Sequence, residues 1–188
     1  MENFKGKETL YGGVRYRSKQ EAKWSFILDF LCLRQMYEPT TVTGWNGTIY
    51  KPDFYLPDFG VYAEVKTNTE GIQNEAMATK LNGAIDYNTT PVSKGLLLLG
   101  AIPYDVRTPS IRIKTKWLFW HKGVCCADAY IQQSSYENKA TLILTGDNID
   151  TGDPLPHSAS PDLFLEPYVF GYYITQAINA ANDYFKGV

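Results

Sequence analysis

Soft metal ligands are scarce in this chain. Its three cysteines, Cys32, Cys125 and Cys126, form no C-x-x-C pair, and His121 and His157 are the only histidines. That combination argues against a zinc site or a disulfide framework. Cys32 falls within an apolar helical pattern and is expected in the core, as free cysteines usually are. Nothing around the vicinal pair Cys125-Cys126 marks it as redox-active. Long hydrophobic runs are also missing. The longest, Gly95 to Ile102, stops at Pro103, far short of the roughly 20 residues of a membrane-spanning helix. The first seven residues, Met1 to Lys7, contain no apolar stretch of the signal-peptide kind. The expectation is a soluble, cytoplasmic protein that needs no membrane.

Hydrophobic residues make up 44% of the 188, aromatics 14% and charged residues 20%. This composition excludes an intrinsically disordered chain, and the length suits one domain with appendages. The formal net charge is −2 but is unevenly spread. Residues 1–122 hold 16 Lys+Arg against 12 Asp+Glu, net +4, and residues 123–188 hold 2 against 8, net −6. A basic body suits an anionic partner. The acidic remainder suits a solubilising face or a guard against promiscuous nucleic-acid binding.

There is no internal repeat. Alternation over Thr9 to Arg17 around Gly12-Gly13 predicts a short hairpin. Ser18-Lys19-Gln20-Glu21 fits a capping box, and Ala22, Trp24, Ile27, Leu28, Leu31 and Leu33 predict a helix to about residue 35. Three strand-like runs follow, at about 37–43, 48–56 and 61–67, separated by turn-forming segments, and predict an antiparallel meander. Ile72, Ala76, Met77, Leu81, Ala84 and Ile85 repeat at helical spacing over about 70–87. Leu96 to Leu99 is a short continuous apolar run, as in a strand covered on both faces. Helix, meander, helix and buried strand describe an α/β core with a mixed sheet. Ile111 to Trp117 alternates as a strand with a basic face, which 124–131 is expected to pair with. Residues 146–162 read as a long loop. Ile174, Ala177, Ile178, Ala181 and Phe185 predict a last amphipathic helix packed on the body.

The informative stretch is Tyr50-Lys51-Pro52-Asp53-Phe54 followed by Ala63-Glu64-Val65-Lys66. A hairpin centred between Asp58 and Phe59 sets Asp53 opposite Glu64, with Cβ atoms about 4.5–5.5 Å apart. Lys66, two positions beyond Glu64, points to the same face. Two carboxylates about 4 Å apart repel by roughly 4 kcal/mol at an effective dielectric of 20, and a divalent ion removes that penalty. Oxygen-only ligands suit magnesium or manganese better than zinc. The bland alternative is an ion-pair cluster on a solvated face. The same register sets Lys51 against Lys66, a like-charge pair that an arriving phosphate would relieve.

Taken in order, Tyr16-Arg17-Ser18 with Glu21 and Ala22, then Tyr37-Glu38-Pro39, Pro52-Asp53-Phe54-Tyr55-Leu56-Pro57 and Glu64-Val65-Lys66 resemble the PD-(D/E)XK nuclease superfamily of restriction-endonuclease-like folds. Pro52-Asp53 matches the first half of its motif and Glu64-Val65-Lys66 the second, in a branch found in phage and bacteria. The resemblance covers about residues 11–104. It implies an α/β fold, a restriction-endonuclease-like core with a mixed central sheet flanked by helices. On this reading the nuclease-like core and basic strand span 1–122, and the strand, loop and helix of 123–188 form an acidic extension packed on it.

The resemblance also implies roles. Asp53, Glu64 and the Val65 main-chain carbonyl would hold Mg²⁺, with Mn²⁺ as a substitute, and Glu21 would complete the metal-side cluster directly or through water. Glu21 also fits the third helical position of a capping box, so two roles compete for one side chain, and the family's glutamate at this place favours the metal-side role. Lys66 would orient or help deprotonate the attacking water. The implied activity is Mg²⁺-dependent endonuclease hydrolysis of DNA, with RNA left open as substrate, in a bacterial or phage-infected cytoplasm. Many relatives dimerise to cut both strands, so a homodimer is a further expectation.

Arg15, Arg17 and Lys51 near the site, and Arg112, Lys114 and Lys116 on one strand face, are candidate phosphate contacts. Trp117, Trp120 and His121 adjoin that strand and suit either base stacking or a core. Glu38 reads as a positioning residue. Asn82 with Tyr87 only loosely resembles the Gln and Tyr of some exonuclease branches. The alternative function is a nuclease-like module that binds nucleic acid or protein and no longer cleaves.

Overall fold

The computed structural model describes residues 6–43, 47, 49–66, 77, 79–81, 95–104, 112–120, 124–133, 140–144 and 171–188. The predicted first hairpin is present: Thr9–Tyr11 (β1) pairs antiparallel with Val14–Tyr16 (β2). Gly12 and Gly13 between them have φ of 55° and 79°, the positive angles of a turn whose twist matches its strands.

The helix Lys19–Phe30 (α1) starts at Ser18, whose Oγ accepts the Glu21 N–H at 3.2 Å. It ends earlier than its apolar pattern suggests. Leu33 N–H donates to the Leu28 carbonyl and Cys32 N–H to the Asp29 carbonyl, each at 2.9 Å, the two bonds of a Schellman closure. This closure sets Cys32 at φ 55° and leaves it exposed. The expectation of a core cysteine is therefore corrected: the chain reverses at Cys32, and Leu33 takes the inward position. A side chain in this left-handed conformation costs about 1 kcal/mol relative to glycine. Cys32→Gly should raise the melting midpoint by about 2–4 °C, read by calorimetry; a lower midpoint would refute the strain.

Among the described residues the main sheet has seven strands, in the order β11-β10-β9-β8-β7-β6-β3. These are Met36–Tyr37 (β3), Phe54–Leu56 (β6), Val61–Val65 (β7), Leu96–Leu99 (β8), Arg112–Trp120 (β9), Val124–Gln133 (β10) and Ala140–Leu144 (β11). The β7–β8 pair is parallel and its neighbours are antiparallel, so the sheet is mixed and the class α/β. Strands β9 and β10, which precede and follow residues 121–123 in the chain, pair with each other antiparallel.

The meander is a partial correction. Val42–Thr43 (β4) and Ile49–Tyr50 (β5) pair with each other in a separate ribbon, dividing the runs 37–43 and 48–56. Pro52, which has no N–H to give a ladder, lies between β5 and β6. Glu38 lies just after β3 with φ 44°, and this turns the chain out of the sheet. The β6–β7 hairpin keeps the predicted register, Phe54 with Ala63, Tyr55 with Tyr62 and Leu56 with Val61.

Strand β8 explains the layering. All four of its leucines are buried. Leu97 and Leu99 join Phe54, Ala63 and the inner faces of α1 and Gly171–Tyr184 (α2). Leu96 and Leu98 join Tyr62, Leu118, Met77 and Leu81 on the other side. Each buried leucine contributes about 1.5–3 kcal/mol. Met77 and residues 79–81 are helical, and the rest of the expected 70–87 helix lies outside the described residues, as does the 146–162 loop. In α2, Ile174, Ala177 and Ala181 are fully buried, as is Phe185 just after it. The Trp24 indole N–H donates to the Gly100 carbonyl at 2.8 Å, tying α1 to the end of β8. Among the described residues no helix is long and apolar enough to cross a membrane.

Candidate functional site

The β6–β7 hairpin and the start of α1 bring the motif residues together. Asp53 follows Pro52 and immediately precedes β6. Its carbonyl accepts the Glu38 N–H at 2.8 Å and its Oδ2 accepts the Val65 N–H at 2.8 Å. These two bonds lock backbone and side chain at the mouth of the hairpin. Its Oδ1 accepts from the Arg17 guanidinium. Glu64 lies in β7, where Oε2 accepts the Tyr50 hydroxyl proton at 2.7 Å. Its Oε1 faces Lys66 Nζ at 3.0 Å and also accepts from Lys80. Both carboxylates are buried.

Burial and the charge of Glu64 push the Asp53 carboxyl up to about 7, and the Val65 N–H and Arg17 offset only part of this. Burial also acts on Glu64, but Lys80, Tyr50 and Lys66 outweigh it and hold that carboxyl below the ordinary range. The environments of the two acids therefore separate them: Glu64 is the stable anion and Asp53 the strained one. Burial and the bond to Glu64 raise the Tyr50 hydroxyl well above a normal phenol, keeping it a hydrogen-bond donor. Burial lowers the Lys66 ammonium but Glu64 and Asp53 more than compensate, so Lys66 stays protonated beside Glu64.

Glu21 serves its cap and its neighbours at once. Ser18 Oγ donates to its Oε1 at 2.9 Å, and the Tyr37 hydroxyl at 2.6 Å and Arg17 N–H at 3.2 Å donate to its Oε2. Arg17 links the acids, since its Nε lies 2.9 Å from Glu38 and 3.9 Å from Glu21 while Nη2 reaches Asp53.

The Lys51–Lys66 pair is corrected. Regular pairing begins at Phe54, Lys51 bonds Glu38 and Lys66 bonds Glu64, so each lysine has its own carboxylate and no phosphate is needed to relieve them. Arg15, Lys114 and Lys116 are also paired. Arg15 lies 3.4 Å from Glu8, Lys114 lies 2.9 Å from Asp128, and Lys116 bonds the same aspartate. Arg112 is in β9, but its side chain lies outside the described residues, as do the Trp120 side chain, His121, Asn82 and Tyr87. Trp117 is in the core.

Sequence reasoning missed Tyr37, Tyr50 and Lys80. Lys80 had one signal: it falls three residues after Met77 and next to Leu81, both buried, so a charge stands at the margin of an inward helical face. Tyr37 and Tyr50 look like ordinary alternating strand aromatics and had none.

The donors that converge are oxygens from two buried carboxylates, a set that suits a hard divalent ion, which keeps several waters and takes one or two carboxylates from the protein. Burial and the Glu64 charge raise Asp53 by more than the Val65 N–H and Arg17 lower it. Among the described residues no group of three or more His, Cys, Asp or Glu is placed to hold a metal ion, so the fit rests on the pair Asp53 and Glu64. No known family, no characterised protein and no solved structure matches this chain.

Proposed function

We propose that this chain is a Mg²⁺-dependent endonuclease of the PD-(D/E)XK type that hydrolyses DNA phosphodiesters, built on a restriction-endonuclease-like core. The observation that carries this reading is the buried Asp53–Glu64 pair, with Lys66 3.0 Å from Glu64. The order of elements supports it: a helix, an antiparallel hairpin carrying both acids, and a strand parallel to the second arm of that hairpin. Asp53 and Glu64 would hold the ion. When bound, it polarises the phosphoryl oxygen and lowers the pKa of its water. Lys66, protonated and half-exposed, offsets charge gathering on the phosphoryl group and orients the water. Arg17, which bonds Asp53, also reaches Glu38 and Glu21 and would keep those two partners if an ion took its place on Asp53.

Plasmid nicking with Mg²⁺ tests the reading. Lys66→Ala should lose about 10²–10⁴-fold in rate, and Asp53→Ala should show no cleavage above background. Equal nicking by wild type and both variants would sink it. One observation favours a second reading, a binding module that does not cleave: Arg17, Lys66 and Lys80 already form ion pairs with the two carboxylates without any added ion. Calorimetry separates the two, because the module would take up neither Mg²⁺ nor Mn²⁺.

A further inference from the structure

We propose that Lys80 is a built-in competitor for Glu64, a counter-ion that a divalent cation must displace before the site is loaded, so that Lys80 sets the ion concentration at which the protein switches on. The inference rests on the reading of Asp53 and Glu64 as an ion site. Its starting point is a surplus of charge. Glu64 carries one negative charge, yet its Oε1 meets two ammonium groups, Lys66 at 3.0 Å and Lys80.

The two lysines are held differently. Lys66 follows β7 directly, and its own N–H donates to the Leu99 carbonyl at 2.9 Å, so its backbone belongs to the sheet. Lys80 reaches Glu64 from a helical segment outside the sheet, with its ammonium 5.4 Å from the centre of the Tyr50 ring. Its side chain retains 27% exposure and that of Lys66 38%, so solvent is open to both. A divalent ion arriving at Glu64 repels both lysines, and Lys80 is the one to which the proposed hydrolysis assigns no part, so its departure leaves Lys66 in place beside the reacting phosphate. Tyr50 keeps its hydroxyl on Oε2 and holds the carboxylate in place during the exchange.

A lysine that merely props up the site gives the opposite result on removal from a lysine that competes. Loss of a prop disorders Glu64 and weakens ion binding; loss of a competitor tightens it. The experiment is titration calorimetry with Mn²⁺ alone on wild type, Lys80→Met and Lys80→Arg. Methionine keeps the unbranched stem over Tyr50 without the charge, and arginine keeps a charge. Lys80→Met should bind Mn²⁺ about tenfold more tightly than wild type, and Lys80→Arg should stay close to wild type. Equal or weaker binding by Lys80→Met overturns the proposal while leaving the ion site standing. No Mn²⁺ heat in any of the three overturns the ion site and this inference with it.

Discussion

Asp53→Asn should stabilise the ion-free protein at pH 8 by about 2 kcal/mol while abolishing cleavage. The Asp53 carboxyl is raised from 3.8 to about 7 in the folded chain, so the native state binds a proton there more readily than the unfolded state does. Between about pH 4 and pH 7 wild-type stability therefore falls as pH rises, and above pH 7 the loss is complete. A shift of this size corresponds to a ceiling of about 4 kcal/mol. Asparagine resembles the protonated acid, but it can accept from only one of Val65 N–H and Arg17. Arg17, whose side chain is 55% exposed and already bonded to Glu38 through Nε, turns away at moderate cost, and we take about half the ceiling. Glu64 has the opposite sign and acts at lower pH, since it is held below the ordinary carboxylate range. Melting curves of both proteins at pH 4, 6 and 8 check this. The gap should open with pH, and identical curves at pH 8 would be evidence that Asp53 is not strained.

Gly95→Ala should cost about 3 kcal/mol and lower the melting midpoint by about 6–12 °C. A Cβ on Gly95 would overlap the Leu118 carbonyl oxygen and stand 2.8 Å from Trp117 Cε3. The obstacle is backbone, so no rotamer change relieves it. The relief available is to push β8 off β9, where Leu96 pairs with Leu118, and β8 is also the strand that steadies β7 and Glu64. Gly100→Ala is the matched control, with nothing within 4 Å of its Cβ, and should stay within about 0.5 kcal/mol of wild type. Equal losses from the two substitutions would show that packing at Gly95 is not the cause.

The features legible in the sequence are those with a periodic or conformational cause. Gly12-Gly13 announced a turn, Leu96 to Leu99 a buried strand, and the Asp58-Phe59 centre the register that puts Asp53 near Glu64. The errors share a different cause. Apolar spacing carried α1 past its true end because a Schellman closure depends on backbone bonds at Leu28 and Asp29, which side-chain hydrophobicity does not report. Counting strands merged β3 with β4 and β5 with β6 because the breaks come from single residues, Glu38 at positive φ and Pro52 without an N–H. Within the site, the acids and Lys66 were readable because they are close in the chain. Lys80 and Tyr50 were not, since their roles arise only when the helix beyond β7 and the β4–β5 ribbon converge on Glu64. Residue spacing also does not show that Glu8, Glu38 and Asp128 stand beside Arg15, Arg17, Lys51, Lys114 and Lys116.

The placement of α2 has a consequence for synthesis. Ile174, Ala177, Ala181 and Phe185 complete the apolar cluster that also holds Trp24, Ile27 and Leu28 of α1. On the ribosome, α1 therefore waits for more than 140 further residues before its partner emerges, a delay of about 7–30 s at ordinary elongation rates. During that interval its inner face stays open to chaperones, and the motif hairpin beside it is tethered to an unfinished core.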